Sequence, residues 1–293
     1  MRNLKLIAKL IRLNASELCF NEVRRSSMTL QASFDQQAKT FDSRVGIDDT
    51  DCRKITDFLA QFYQKTNHKI WLEIGAGTGQ IGRWAFDRSS QYVGIDISDE
   101  MLKEFRGRVP AQVNVQLYQA DANQEWPLES ESVSLSFSSR TIHLLSPHHV
   151  MSEIQRVHDN GYFLIGRLGR EDSTNVKDVM REKMRSILFS LGHEGRRGEE
   201  NRKQILDLLC ERGATRLEAV AVSSWVETFS PLGSIESWLN KDGLAGQEID
   251  RSTKEECMKR LRAWAMDRYD SLEYSEPVKQ FYIIEGVDLH SFR

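Results

Sequence analysis

The sequence is poor in cysteine and proline, and it has no long apolar run. Four cysteines and five prolines occur among its 293 residues. The cysteines lie far apart and match no metal-ligand spacing, so we expect no metal site and interpret them as reduced thiols of a cytoplasmic protein. No apolar run approaches the roughly 20 residues that cross a bilayer, so we expect no stable membrane insertion.

Neither sign of charge is in large excess. The formal net charge of -3 disfavours a nucleic-acid backbone as partner, although a compact basic patch is compatible with that average. Contents of 40% hydrophobic and 28% charged residues are typical of a globular protein with a buried core. These features favour a small-molecule substrate and leave the oligomeric state open.

Basic residues are concentrated in residues 1–27, where a short apolar stripe recurs at helical spacing. Lys9 and Arg12 interrupt the apolar segment, which disfavours a signal peptide. We interpret this segment as a helix packed on the main domain or as a frayed terminus. A helix lying on a membrane surface is the alternative.

From residue 55, short β-rich runs alternate with helical patterns, which is typical of a parallel sheet covered on both faces. The seven predicted strands are 69–74, 91–96, 113–119, 133–138, 162–167, 217–224 and 280–287. The main predicted helices are 80–87, 99–108, 148–157, 176–191 and 199–212. Right-handed crossovers make a doubly wound, mostly parallel, Rossmann-like α/β sheet the only economical assembly. Ligands of such sheets bind beyond the carboxyl ends of the strands, so the site is expected just after the first four strands.

We predict three parts along the chain. Residues 1–54 form an N-terminal helical extension and lid, and residues 55–224 and 279–293 form the core. Residues 225–278 form a helical insertion before the last strand, which we expect to cap the substrate site. The aromatic residues of this insertion suit either a concave pocket or the anchoring of the insertion to the core.

A glycine-rich segment begins at Glu73, near the end of the first predicted strand. The alternate glycines Gly75, Gly77 and Gly79 allow a sharp turn and a close approach of the backbone to a ligand. A helix beginning near Gly79 would direct its amide groups and its positive dipole end at that ligand. Asp96 ends the second strand, where a carboxylate can accept hydrogen bonds from both hydroxyls of a ribose. The pattern predicts a cofactor that contains a nucleoside.

A nicotinamide dinucleotide is the rival cofactor, because Gly77-x-Gly79-x-x-Gly82 fits the dinucleotide fingerprint. In that alignment the first glycine falls three residues after the strand, which is late for the tight turn. Glu73 adds an acid that is unfavourable beside a pyrophosphate but favourable beside the ammonium and sulfonium groups of S-adenosylmethionine. Asp121, after the third strand, is a third acidic position and suits an adenine amine.

These segments resemble the motifs of class I S-adenosylmethionine-dependent methyltransferases. The resemblance is carried by residues 73–79, by residues 93–98 with Met101, by Asp121-Ala122, and by residues 126–128 leading into 133–139. It covers roughly residues 30–170 and implies a methyltransferase that binds S-adenosyl-L-methionine. The implied cofactor-binding positions are Glu73, Gly75, Ala76, Gly77, Gly79, Asp96, Ile97, Met101, Asp121, Ala122 and Ser138.

The resemblance also implies a role for each of these positions. Glu73, the glycines and Ser138 would hold the methionine part, and Asp96 would hold the ribose. The positions that would surround the adenine are Ile97, Met101, Asp121 and Ala122.

Residues 34–44 are similar to the N-terminal lid helix of small-molecule members of this class, including quinone and natural-product methyltransferases. The expected substrate contacts are Phe41, Arg44, Arg140 and Trp225. Arg140 suits an acidic substrate group, and pairing with a local carboxylate is the alternative. The chain departs from the family pattern at Ser134, where Asp is common, and in the long insertion between its last two strands.

His143 is the candidate general base, because it follows the fourth strand and histidine titrates near neutral pH. Methyl transfer from a sulfonium depends mainly on the alignment of the nucleophile with the methyl group. A base is needed only when the nucleophile must lose a proton. A histidine that serves packing is the alternative.

The leading hypothesis is methyl transfer to an oxygen, nitrogen or carbon nucleophile of a small, partly apolar metabolite, as in secondary metabolism. A peptide or protein methyltransferase, an NAD-dependent oxidoreductase and a non-catalytic cofactor-binding module are the alternatives. Amino methylation of nucleic-acid bases is disfavoured, because no Asn/Asp-Pro-Pro-Tyr-like segment follows the fourth strand.

Overall fold

The central feature is a mostly parallel β-sheet, seen in a computed structural model that describes residues 31, 34–35, 38–42, 47–193, 198–241, 243–245 and 247–292. Its strands are β1 (Ile70–Ile74), β2 (Tyr92–Asp96), β3 (Val115–Gln119), β4 (Val133–Ser139), β5 (His158–Arg170), β6 (Thr215–Arg216), β7 (Val220–Phe229) and β10 (Glu276–Asp288). The spatial order is β3-β2-β1-β4-β5-β10, and β6 and β7 both pair with β10. Strands β1 to β5 run parallel, whereas β10 runs antiparallel to β5. This arrangement confirms the predicted fold class.

Helices cover both faces of the sheet. The α-helices of the described residues are α1 (Asp49–Tyr63), α2 (Asp99–Arg106), α3 (Pro147–Val157), α4 (Val176–Ser190), α5 (Gly198–Glu211), α6 (Pro231–Leu239) and α7 (Arg251–Tyr269). Short 3-10 helices occur at Ala38–Thr40, Gly82–Trp84, Phe86–Arg88 and Ile142–Leu144, and β8 (Gly243–Leu244) pairs with β9 (Gln247–Glu248) in a separate hairpin. Within the described residues, every helix is too short or too polar to cross a bilayer.

The segment after the glycine turn differs from the prediction. The sequence pattern predicts a helix over 80–87, but two 3-10 turns, Gly82–Trp84 and Phe86–Arg88, occupy this region. The backbone at Gly82 packs directly on the side chains of Tyr92 and Glu73, since a Cβ there would lie 2.1 Å from Tyr92 Oη. The tight turns keep the backbone against this pair.

In place of the sixth predicted strand, 217–224, the structure has β6 and β7, so the described residues contribute eight strand segments to the sheet rather than seven. The short β6 pairs with residues 287–288, and β7 pairs with residues 276–284 of the same strand, β10. Residues 225–229, which the sequence analysis assigns to the helical insertion, continue β7 instead. The last long strands therefore form a close pair despite the insertion, whose helical part is α6 and α7.

Three apolar clusters hold these layers together. One lies between the sheet and helices α3 and α5, and includes Ile74, Ile154 and Leu206. A second lies on the opposite face of the sheet beneath α1, because alternate strand residues point to opposite faces. A third, the insertion core, joins α4 to α6 and α7 through residues such as Met180 and Leu261.

Candidate active site

The turn after β1 presents bare backbone at the carboxyl edge of the sheet. Gly75 and Gly77 have φ values of 75° and 54°, which favour glycine. The amides of Gly75 and Ala76 donate to the carbonyl of Ile95 at 2.8 and 3.0 Å. A Cβ at Gly75 would lie 1.9 Å from Thr141 Oγ1, whereas one at Gly77 would meet no atom within 4 Å. Gly75 thus permits packing against the turn after β4, and Gly77 leaves its backbone accessible.

Asp96, at the end of β2, is held by the same turn. Gly77 N donates to its Oδ2 at 2.8 Å, and Ser98 N donates to its Oδ1 at 2.9 Å. Burial raises the pKa of Asp96, and these backbone hydrogen bonds oppose that shift. Each carboxylate oxygen has a further lone pair, so the group can accept two more donors from a ligand.

Glu73 is a buried carboxyl group that lines the cleft. Its residue is only 3% exposed, and its Oε2 accepts a hydrogen bond from the hydroxyl of Tyr92. Burial raises the pKa of Glu73 to about 8, Asp96 adds to the rise, and Tyr92 and Arg140 oppose it. Glu73 therefore favours the protonated carboxyl group at neutral pH, and a bound cation would favour the carboxylate.

Asp121 follows β3 in a turn that other side chains fix. Its Oδ1 accepts from Asn123 N at 2.9 Å. Asn123 in turn accepts from Ser146 N at 2.8 Å and donates to the carbonyl of Leu144 at 3.5 Å. These bonds join the loop after β3 to the loop after β4, and they hold Asp121 and Ala122 in the cleft wall.

These groups surround a cleft that opens to solvent and encloses about 870 Å³ of space, part of it open solvent. The predicted site residues that line it are Phe41, Glu73, Gly75, Ala76, Gly77, Asp96, Ile97, Met101, Asp121, Ala122 and Arg140. Lining residues that the sequence analysis missed are Phe34, Thr78, Gln80, Ile81, Ile95, Ala120, Asn123, Ser139, Thr141, Leu144 and Leu145. Most of these lie within two positions of a predicted site residue, so closeness to a strand end is the sequence feature that could have identified them.

Ser138 does not line the cleft, and Ser139 does. The side chain of Ser138 is fully buried and donates to the carbonyl of Ile74 at 2.9 Å. Successive side chains on a strand point to opposite faces, so a shift of one residue moves the hydroxyl into the cleft. Ser139 Oγ lies 2.6 Å from the hydroxyl of the buried Tyr282. Ser139 rather than Ser138 therefore lines the cleft, and the contact of Ser138 with the cofactor stays a prediction.

Gly79 and Trp225 also lie outside the cleft lining. A Cβ at Gly79 would lie 2.1 Å from Phe105 Cδ2, so this glycine permits packing on α2. Trp225 is half-buried in β7 and packs against the core beneath α1. Its indole nitrogen has no hydrogen-bond partner among the described residues.

The predicted base is not among the residues that line the cleft. His143 is exposed in the turn Ile142–Leu144 and is not a lining residue. Its main-chain carbonyl accepts a hydrogen bond from Asn201 at 3.4 Å. Arg44 lies outside the described residues.

Arg140 lies in the turn after β4 with a left-handed φ of 60°. Its guanidinium carbon is 4.6 Å from the ring centroid of Phe41, a distance typical of cation–π contact. Burial lowers the pKa of Arg140, whereas Tyr282, Asp42 and Glu73 are among the groups that oppose the shift.

The described lid residues are tied to the rim of the cleft. Asp42 accepts hydrogen bonds from the hydroxyl of Thr78 and from Arg108, the latter at 2.5 Å. Asp35 accepts from Ser98 Oγ at 2.5 Å. Phe41, next to Asp42 in the sequence, lines the cleft and contacts Arg140 of the turn after β4.

The chain is similar to known methyltransferases. Residues 72–165 match the family model described as "Methyltransferase domain". A proposed type II methyltransferase from Anaeromyxobacter dehalogenans has a TM-score of 0.53 and 14% identity, over 81% of this chain and 96% of that chain. A SAM-dependent methyltransferase from Aquifex aeolicus has a TM-score of 0.45 and 19% identity, over 64% and 92%. Geranyl diphosphate C-methyltransferase from Streptomyces coelicolor A3(2) has a TM-score of 0.45 and 13% identity, over 80% and 76%.

No curated protein sequence matches the chain. The chemistry of the cleft nevertheless fits S-adenosylmethionine. Glu73 offers a buried carboxyl group to a cation, Asp96 offers two acceptors to a ribose, and Gly77 leaves room for close approach. A pyrophosphate would instead leave Glu73 protonated and gain no charge pairing from it. The fold is the one found in class I methyltransferases, and residues 72–165 match a methyltransferase domain.

Proposed function

We propose that this enzyme transfers a methyl group to an oxygen, nitrogen or carbon nucleophile of a small, partly apolar metabolite. The observation that carries the proposal is the placement of Glu73, Asp96 and Asp121 around one cleft with a glycine-backbone floor. Phe34 and Phe41 add apolar walls on the lid side. A cleft of this kind accommodates a nucleoside cofactor together with a compact acceptor.

Each lining residue has a proposed role. Asp96 accepts hydrogen bonds from the two ribose hydroxyls, while Gly77 N holds the carboxylate in place. Asp121 and the adjacent Ala122 contact the adenine edge, and Met101 covers one face of the ring together with Ile97. The ionised carboxylate of Glu73 binds the ammonium group of the methionine part.

S-adenosylmethionine, when bound, supplies an electrophilic methyl group on a sulfonium. The chain contributes mainly position and shape, and alignment of two bound reactants is worth up to about 7–11 kcal/mol. The lid anchors at Asp35 and Asp42 hold the apolar wall that excludes water from the site. Phe41 is the proposed apolar contact of the acceptor.

A general base is not required by this proposal. The role of His143 stays a prediction, because its exposed side chain would need a bridging water or a movement to reach an acceptor in the cleft. Acceptors whose nucleophile is already deprotonated at neutral pH need no base before attack. An amine nitrogen in its neutral form is one such nucleophile.

We further propose a cytoplasmic enzyme whose partner is the small-molecule acceptor rather than a nucleic acid. Free thiols support this location, and the described cysteines Cys52, Cys210 and Cys257 are all free. The acidic groups around the cleft are unfavourable to a phosphate backbone.

Calorimetric titrations with S-adenosylmethionine, S-adenosylhomocysteine and NADH test the cofactor. We expect the first two to bind and NADH not to bind, and we expect Asp96→Asn to weaken both. Incubation with methyl-tritiated S-adenosylmethionine and a cell extract then tests the acceptor, with the label expected in the small-molecule fraction. Label confined to protein would replace this proposal with a peptide or protein methyltransferase, and binding of NADH alone would replace it with an oxidoreductase.

A further inference from the structure

Arg140 occupies a position at which backbone strain and cleft geometry coincide. It lies between Ser139 and Thr141, and all three residues line the cleft. Its φ of 60° is uncommon for a residue with a side chain. Non-glycine residues held in such conformations cluster at ligand-binding sites, where the surrounding structure maintains them.

The guanidinium of Arg140 contacts an aromatic ring rather than an acid of the described residues. It stacks on Phe41 with a 4.6 Å separation from the ring centroid. Among the described residues, none forms a salt bridge with it. A cation withdrawn from water is costly unless it is paired. The cleft therefore contains an arginine whose positive charge is available to an anionic ligand.

The nearest acidic groups are already engaged. Asp42 accepts from Thr78 and from Arg108. Glu73 accepts from Tyr92, and its raised pKa of about 8 favours the uncharged form when no ligand is bound. Neither group forms a salt bridge with Arg140.

Glu73 and Arg140 nevertheless face the same space. Both line the cleft, and each affects the pKa of the other through its charge. An α-amino acid carries an ammonium and a carboxylate on a single carbon atom. An acid and a guanidinium that line the same cleft and interact through their charges match both of these charges.

We infer that Arg140 binds the α-carboxylate of the cofactor's amino-acid end, beside the ammonium group held by Glu73. The inference rests on the proposed function, and it moves Arg140 from the acceptor, where the sequence analysis placed it, to the cofactor. An anionic group of the acceptor is the other possible ligand of Arg140. A nucleoside ligand without the amino acid distinguishes the cofactor from the acceptor.

The test compares S-adenosylhomocysteine with 5′-methylthioadenosine, which has the same nucleoside but lacks the amino acid. We expect Arg140→Met to weaken S-adenosylhomocysteine about 10- to 100-fold, as for a lost hydrogen bond to a charged group. Binding of 5′-methylthioadenosine should change less than about twofold, because the nucleoside contacts remain. Calorimetry measures both, and thermal unfolding checks that the variant is folded.

Two further variants make the result specific. Arg140→Lys keeps the charge but loses the bidentate contact, so an intermediate loss is expected, and it serves if Arg140→Met does not fold. Arg167→Met is the matched control, because Arg167 is outside the cleft lining and is paired with Glu285 at 2.8 Å. It should leave the affinity for both ligands unchanged.

Unchanged binding of S-adenosylhomocysteine by Arg140→Met would overturn the inference. If methyl transfer were lost at the same time, Arg140 would be assigned to the acceptor. An equal loss of affinity for both ligands would also overturn the inference, because it would show that Arg140 has a structural role. Failure of the wild-type protein to bind either ligand would instead refute the proposed function, which is a distinct result.

A pH profile gives an independent readout. The groups that influence Glu73 are Tyr92, Asp96 and Arg140, and the arginine favours its ionised form. Arg140→Met should therefore move the pH dependence of S-adenosylhomocysteine binding to higher pH, whereas Arg167→Met should not. If the pH dependence of S-adenosylhomocysteine binding were unchanged in Arg140→Met, the inference that Glu73 and Arg140 bind the same end of the ligand would be contradicted.

Discussion

At Glu73, burial favours the protonated carboxyl group, whereas the positive charge of a ligand favours the carboxylate. Desolvation raises the pKa of this group to about 8, and the hydroxyl of Tyr92 opposes part of the rise. An ammonium group placed beside it favours the carboxylate. Below pH 8, binding of the cofactor must therefore release a proton, which reduces affinity as the pH falls.

We predict that the affinity of the wild-type protein for S-adenosylhomocysteine falls by up to roughly tenfold per pH unit between pH 8 and pH 6. Glu73→Gln should bind more weakly at pH 8 and should lack this dependence. Tyr92→Phe removes a hydrogen bond to the charged form, so its profile should move to higher pH. Calorimetry in buffers with different ionisation enthalpies measures both the affinity and the proton release. Equal profiles in the wild-type protein and in Glu73→Gln would refute this role.

His158 gives a second pH effect, on stability rather than on binding. Its Nε2 is 2.7 Å from Ser136 Oγ and its Nδ1 is 3.1 Å from the carbonyl of Asn160. A carbonyl only accepts, so Nδ1 carries the proton and Nε2 accepts from the serine. Burial lowers the pKa of this neutral histidine from 6.5 to about 4.

Between pH 6.5 and pH 4 the unfolded chain therefore binds a proton at His158 that the folded chain does not. Stability from this group is fully present above pH 6.5 and is lost as the pH falls through that window, by up to about 3 kcal/mol. Urea unfolding at pH 7 and at pH 4.5 measures the loss. His158→Gln should lose less stability than the wild-type protein between these two values, and an equal loss would contradict the assignment.

At the scale of elements, the two glycines of the turn after β1 have different roles: Gly75 permits packing, and Gly77 permits a ligand to approach the backbone. A Cβ at Gly75 would collide with Thr141, and a Cβ at Gly77 would enter open space. We predict that Gly75→Ala lowers the melting temperature strongly, whereas Gly77→Ala costs only about 1–2 kcal/mol for its left-handed φ. Gly77→Ala should still weaken S-adenosylhomocysteine binding, because its methyl group occupies the floor of the cleft. Thermal unfolding and calorimetry test both, and equal destabilisation would contradict the distinction.

The elements differ in how far the sequence predicts them. Strands β1, β2 and β4 are short apolar runs that end in turn residues, and their ends were predicted within one residue. The helix predicted over 80–87 was wrong, because the close packing of Gly82 on Tyr92 is a tertiary contact that periodicity does not report. The choice between Ser138 and Ser139 depends on strand phase, which a run of serines does not reveal. The exposed side chain of His143 depends on a turn geometry that composition does not specify.

At the scale of the whole molecule, the cleft and the insertion are built from different parts of the chain. No described residue beyond Leu145 lines the cleft, and the insertion core joins α4 to α6 and α7. The cofactor site is therefore expected to be independent of the packing of the insertion. Changes in the insertion are then expected to alter acceptor specificity without loss of cofactor binding.

Leu261→Ala tests this independence. Leu261 is fully buried in the insertion core, so its truncation should cost about 2–5 kcal/mol yet leave the Kd for S-adenosylhomocysteine within about twofold. Leu59→Ala is the matched variant, because Leu59 is equally buried in the core that also holds Ala76 and Ile81. It should weaken binding. Comparable loss of binding in both variants would show that the two parts are coupled.

The most direct measurement is a crystal structure of the protein with S-adenosylhomocysteine. We predict the ribose hydroxyls on Asp96, the adenine edge at Asp121, and the amino-acid end between Glu73 and Arg140, over the bare backbone of Gly77. A ligand bound elsewhere, or a dinucleotide occupying this cleft in its place, would contradict the account.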